Sequence, residues 1–147
     1  GTGLRVSEIA ALKIEDIDLK RGGNSLIVRH GKGDKLRVVK FSSSLKTLIQ
    51  DYLDYRTSDS EYLFPSQRQD HMFPTAIQKV FKKWARRSGL PPRFSIHSAR
   101  HFYASELLRV SKNLRLVQQQ LGHSSPQTTT VYAQVLDDEI TEAVEKL

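Results

Sequence analysis

Arg5, His97, Arg100, His101, His123 and Tyr132 are the residues of this 147-residue chain whose types, taken together, could attack a phosphodiester. Arg5 lies in Thr2-Gly3-Leu4-Arg5-Val6-Ser7-Glu8, and Arg100 in Ile96-His97-Ser98-Ala99-Arg100-His101. His123 closes Leu121-Gly122-His123, and Tyr132 follows it by nine residues. A guanidinium presents a planar fork that matches two phosphate oxygens. A tyrosine hydroxyl can form a covalent intermediate once a neighbouring group takes its proton. Imidazoles are suited to that transfer. Glu8, three residues beyond Arg5, is one helical turn away and can support Arg5 or a neighbour.

A metal-based reading competes for part of this set. His97 and His101 have the i, i+4 spacing of a zinc-binding helix, but Ser98 stands where such a motif needs a general-base glutamate. The chain has no cysteine, which excludes disulfides and thiolate metal sites. No metal is therefore expected. The bland reading of His101 is a packed, supporting histidine, and that is the one adopted. Tyr52, Tyr55, Tyr62 and Tyr103 compete with Tyr132 for the nucleophile. Tyr52 falls on an apolar stripe, and Tyr62 stands beside Leu63 and Phe64, so both read as core; Tyr55 reads as a helix edge. Tyr103 is one turn from Arg100 and is expected to pack beneath the active face. Tyr132, after a loop, keeps the freedom an in-line attack needs.

Composition sets the class of partner. The net charge is +7, from 23 Lys+Arg against 16 Asp+Glu, which favours a polyanion such as DNA. With 38% hydrophobic and 27% charged residues the chain reads as one globular domain. No apolar run approaches the roughly 18 residues that span a bilayer, and there is no signal peptide, so a cytoplasmic, membrane-free setting is expected.

The elements that must position these groups follow from local pattern. A short helix is expected over 7–13, capped by Ser7. Strands over 25–29 and 36–41 flank the turn Gly31-Lys32-Gly33-Asp34 and make a hairpin. Lys32 sits at its tip, where a lysine that reaches into a groove could protonate a leaving alkoxide. A helix over 44–56 carries Leu45, Leu48, Ile49, Tyr52 and Leu53 on one stripe, capped from the serines at 42–44. An extended piece at 62–65 reads as a third strand. Helices are expected over 75–88, with Ile77, Val80, Phe81 and Trp84 inward, and over 97–110, with Phe102, Leu107 and Leu108 as core. Another spans 114–121 and stops at Gly122. A short helix over 126–132 and an amphipathic one over 137–147 complete the chain. The fold class is α+β, mostly helical, with one small antiparallel sheet.

The order and spacing of these motifs resemble the tyrosine recombinase (phage integrase) family, in particular its Xer and integron-like members, across nearly the whole chain. Thr2-Gly3-Leu4-Arg5-Val6-Ser7-Glu8 matches the family's first box almost letter for letter. The His-x-x-Arg box is matched by His97 and Arg100, with Ala99 where the family often has leucine. Leu121-Gly122-His123-Ser124-Ser125, then a threonine run and Tyr132, matches its signature. The resemblance implies a catalytic domain in which Tyr132 attacks a DNA phosphate, Arg5 and Arg100 hold the non-bridging oxygens, and His97 assists proton transfer. It further implies that His123 donates a hydrogen bond to the phosphate and that Lys32 is the general acid. Lys35 and Arg37 are expected to touch the DNA backbone. Double-stranded DNA is the implied partner, with assembly into a dimer to tetramer on it and helix 137–147 docking onto a neighbouring copy. Because the chain opens on Gly1 within the first box, the resemblance also predicts upstream sequence: the start of this domain and a DNA-clamping domain. Two rival readings stay open: a type IB topoisomerase with the same chemistry, and a DNA-binding module that does not cut.

Overall fold

The structure, a computed structural model, describes residues 1–29, 36–67, 70–122 and 144. Helix α1 (Val6–Ala10) opens the chain, followed by a 3-10 turn (Ile14–Asp16) and strands β1 (Ile17–Asp18), β2 (Ser25–Val28) and β3 (Arg37–Lys40). Helices α2 (Ser43–Tyr55), α3 (Pro74–Arg87), α4 (Ile96–Ser111) and α5 (Leu114–Leu121) come after them. The sheet is antiparallel in the order β1-β2-β3. Leu26 pairs with Val39, and Val28 with Arg37. Leu26, Val28 and Val39 are buried, whereas Val38 faces solvent. Side chains alternate along a strand, so Arg37 shares the core-facing side with Val39.

Two apolar clusters form. Leu4, Leu12, Leu26, Val28, Val39, Phe41 and Leu63 make the first, between sheet, α1 and α2. Ala104, Leu108, Val117 and Leu121 make the second, between α4 and α5. Helix starts follow side-chain caps: Ser42 accepts from Leu45 N–H, Ser95 from Ser98 N–H, and Asn113 from Leu116 N–H. Gly122 ends α5 in the left-handed conformation, at φ 68°.

Several expectations need correction. Helix α1 is shorter than 7–13 and is capped at Arg5, not Ser7, because Glu8 reaches back to the Arg5 N–H at 2.7 Å. Leu12 and Lys13 have left the helix. The Leu12 carbonyl accepts from Leu63 N–H at 2.8 Å, and Ile14 N–H donates to Glu61 O at 2.9 Å. The segment at 62–65 therefore contributes an isolated bridge, Tyr62 to Lys13, and the third strand is Ile17–Asp18 instead. On α2, Leu48 is exposed while Leu45, Ile49 and Leu53 pack on the first cluster. Phe102 is 65% exposed, and on α3 Trp84 is 57% exposed. The apolar side of α3 faces an open groove of about 410 Å³, lined by Leu4, Ile9, Ile77, Val80, Phe81, Trp84, Ile96 and Tyr103 among others, rather than a closed core.

Candidate active site

The end of α5 is the point on which the basic residues converge. The last carbonyls of a helix have no intrahelical partner and carry the negative end of its dipole, so cations gather there. Three successive carbonyls each accept one guanidinium. Arg37 Nε donates to Gln120 O at 3.3 Å, Arg100 Nη2 to Leu121 O at 3.0 Å, and Arg5 Nη2 to Gly122 O at 3.3 Å. Arg100, nearly buried, also donates through Nη1 to the Gly3 carbonyl, which ties the second box to the first. Each terminal guanidinium nitrogen carries two N–H groups, so one carbonyl does not exhaust it.

Glu8 is the carboxylate of this group. Its side chain is 6% exposed, against 42% for Arg5 and 10% for Arg37. Arg37 closes on it with both arms, Nη1 to Oε1 at 2.8 Å and Nη2 to Oε2 at 2.9 Å. Arg5 adds Nη1 to Oε1 at 3.1 Å. Burial alone would raise the Glu8 carboxyl. The hydrogen bonds from Arg37 and from the Arg5 N–H, with the two positive charges, outweigh it and hold the carboxyl below the usual glutamate value. Two arginines thus share one carboxylate, and Arg100 donates to the carbonyls of Gly3 and Leu121.

The Ser95–Ser98 capping box starts α4, so His97 falls in its first turn, on the groove that Arg5 also lines. His97 Nε2 lies 2.8 Å from His101 Nε2, with the rings edge to face. One ring must donate and the other accept, so the pair shares a proton between two nitrogens. Burial, reinforced by the charges of His97 and Arg100, pushes His101 below its ordinary value. His101 is therefore a direct partner of His97.

Arg5, His97 and Arg100 line one groove of about 540 Å³, with Leu4, Val6, Ser7, Ser95 and Ile96. Gln78 and Lys82 of α3 line it too, and the sequence reading did not single them out. The available signal was the run of Lys79, Lys82, Lys83, Arg86 and Arg87 on one helix without an acid. Gln120 was also missed. Its amide takes both the N–H and the carbonyl of Lys40, at 3.1 and 2.6 Å, docking α5 on β3 as another strand would. Among the competing tyrosines, Tyr103 is tied down: its hydroxyl accepts from Gln120 Nε2 at 3.1 Å, and its ring packs on Gly3. Tyr52 donates to Leu63 O, Tyr62 lies tilted against the His71 ring, and Tyr55 is exposed.

Arg37, expected on the DNA backbone, instead has its described contacts inside the protein, with Glu8 and α5. Lys32, Lys35, His123 and Tyr132 lie outside the described residues, as do the helix expected over 126–132 and, save Val144, that over 137–147. Among the described residues no cluster of three or more His, Asp or Glu could hold a metal ion, and no helix is long and apolar enough to cross a membrane.

Comparison with known proteins gives one consistent answer. Residues 1–139 match the model of the phage integrase family. The chain is 40% identical over 149 aligned positions to the tyrosine recombinase XerA of Pyrococcus furiosus, covering 99% of this chain and 51% of that protein. The crystal structure of XerA recombinase superposes with a TM-score of 0.81 at 33% identity, over 99% of this chain and 52% of the other. A pre-cleavage complex of XerH site-specific recombinase bound to difH substrate gives 0.76 at 29% identity, over 90% and 39% of the two chains. The chain spans about half the length of the relatives it matches. With the family model matched over residues 1–139, the chain belongs to the phage integrase family.

Proposed function

We propose that the chain is the catalytic domain of a site-specific tyrosine recombinase, which cuts and rejoins double-stranded DNA through a 3′-phosphotyrosyl intermediate. The observation that carries this reading is the groove shared by Arg5, His97 and Arg100, two of which, Arg5 and Arg100, are also bonded to the carbonyls of Gly122 and Leu121, just ahead of His123 in the sequence. XerH, similar in fold and sequence, is bound to its DNA substrate in its own structure.

The chemistry follows from the groups. Tyr132 attacks the scissile phosphorus, a bond forms from its oxygen to the 3′-phosphate, and the 5′-oxygen leaves. Arg5 and Arg100 hold the non-bridging oxygens and neutralise the charge that grows in the transition state. His97 takes the tyrosine proton, which is needed at neutral pH because a free tyrosine titrates near a pKa of about 10. His123 donates a hydrogen bond to the phosphate, and Lys32 gives its proton to the departing 5′-oxygen. Attack by a 5′-hydroxyl of another strand reverses the step and releases Tyr132. Bond energy is retained in the protein–DNA link, so neither metal nor nucleotide cofactor is required. On DNA the protein works as a dimer to tetramer, with the stretch 137–147 docking on a neighbouring copy, in the cytoplasm at the nucleoid.

The test is covalent capture. A nicked duplex that loses its 5′-hydroxyl fragment on cleavage should trap the chain as a DNA adduct, resolved on a denaturing gel. Tyr132→Phe should abolish the adduct and leave DNA binding nearly intact. An undiminished adduct in that variant overturns the assignment.

A further inference from the structure

Arg37 lies on the core-facing side of β3, opposite Val28, where a strand of this pattern would carry an apolar residue. A charge buried there needs a full set of partners. Arg37 has them: two bonds to Glu8 and one to the Gln120 carbonyl. Glu8 in turn holds the Arg5 guanidinium and the Arg5 backbone N–H. The guanidinium also passes directly beneath Gly122, where an added Cβ would meet Nη1 at 2.8 Å. Gly122 precedes His123. One side chain thus touches the group that orients Arg5, the last turn of α5 and the glycine that caps it.

We propose that Arg37 is a positioning residue for the phosphate clamp: it fixes Arg5 through Glu8 and ties Glu8 to the last turn of α5, instead of binding the DNA backbone. The proposal rests on the recombinase reading above. Its physical basis is shape. Only a planar fork can grip both oxygens of Glu8 while its Nε reaches a carbonyl on a different element. Lysine keeps the charge but makes one point contact, so Arg5 and the α5 terminus lose their common register.

The experiment compares wild type, Arg37→Lys and Arg5→Ala in single-turnover adduct formation at saturating nicked DNA. The salt dependence of DNA affinity and the melting temperature are measured on the same samples. A second substrate carries a methylphosphonate at the scissile position, where a methyl group replaces one non-bridging oxygen and the diester has no charge to clamp. The expected result for Arg37→Lys is a loss of roughly 10²-fold in cleavage rate, the scale of a small misplacement of a catalytic group. The salt slope of binding stays at the wild-type value. On the methylphosphonate the defect shrinks, in parallel with that of Arg5→Ala. A salt slope lowered by about one, with the saturated rate unchanged, makes Arg37 a phosphate contact and overturns the proposal. A lower melting temperature with wild-type cleavage by the folded molecules, and no relief on the neutral substrate, makes it structural and overturns the proposal too. A wild type that forms no adduct sinks the recombinase reading and this role together, whereas a cleaving wild type beside an equally fast Arg37→Lys sinks this role alone.

Discussion

The sheet half and the helical half of the molecule are each held by apolar side chains; the seam between them is bonded by guanidinium, carboxylate and amide groups. In the first half Leu26, Val28 and Val39 close on Leu4, Leu12 and Leu63. In the second Leu108 and Val117 pack between α4 and α5. Where α5 meets α1 and β3, the bonds run from Arg5, Arg37 and Arg100 to carbonyls 120–122 and from Gln120 to Lys40. Apolar burial is non-directional and tolerates small shifts. Hydrogen bonds do not, since they weaken steeply away from their preferred angle. The halves are thus suited to stability and the seam to geometry, and the seam holds Arg5 and Arg100, two of the residues that line the candidate groove.

The sharpest way to break that contrast is at Arg100. Arg100→Lys keeps the charge and loses the fork on Gly3 and Leu121. Cleavage should fall by roughly 10²–10³-fold, as for loss of a transition-state donor, with little change in DNA affinity. Single-turnover adduct formation measures this, and a wild-type rate would remove Arg100 from the clamp. Next comes the helical half itself. Leu108 is fully buried, so Leu108→Ala should cost about 2–5 kcal/mol. Denaturant unfolding reads that loss, and the rate per folded molecule should hold. A variant that stays stable but stops cleaving would show that the halves are not separable from the seam.

Gly122→Ala tests the boundary. Its φ of 68° makes any side chain unfavourable, by about 1–2 kcal/mol. The added carbon would also displace the Arg37 guanidinium. Cleavage should drop by more than the lost stability accounts for; a drop matched to the unfolded fraction would place Gly122 with the cores. The smallest effect concerns pH. The Glu8 carboxyl is depressed below 4.5 in the folded chain, so the stability it contributes is present in full above that value. It is lost as pH falls through the lower folded value. The difference in melting temperature between wild type and Glu8→Gln should shrink on acidification below 4.5. A difference that persists unchanged into acid would show that the carboxylate is not what holds the seam.

Local chemistry in the chain was enough to specify much of this. The boxes around Arg5, His97 and Arg100, the serine cap of α2 and the glycine that ends α5 are all set by residue type and spacing within one turn. The hairpin strands follow from runs of β-branched residues. Tertiary structure decided what depends on neighbours far along the chain. A period of 3.6 marks Phe102 and Trp84 as one side of a helix but not whether anything covers that side, and both are exposed. The third strand moved to Ile17–Asp18 because Leu12, Leu63 and Glu61 found backbone partners that no local window contains. Arg37 is the clearest case. Its guanidinium is suited equally to a DNA phosphate and to a buried carboxylate, and only the fold, by bringing Glu8 of α1 and Gln120 of α5 to one side of β3, put a carboxylate within its reach.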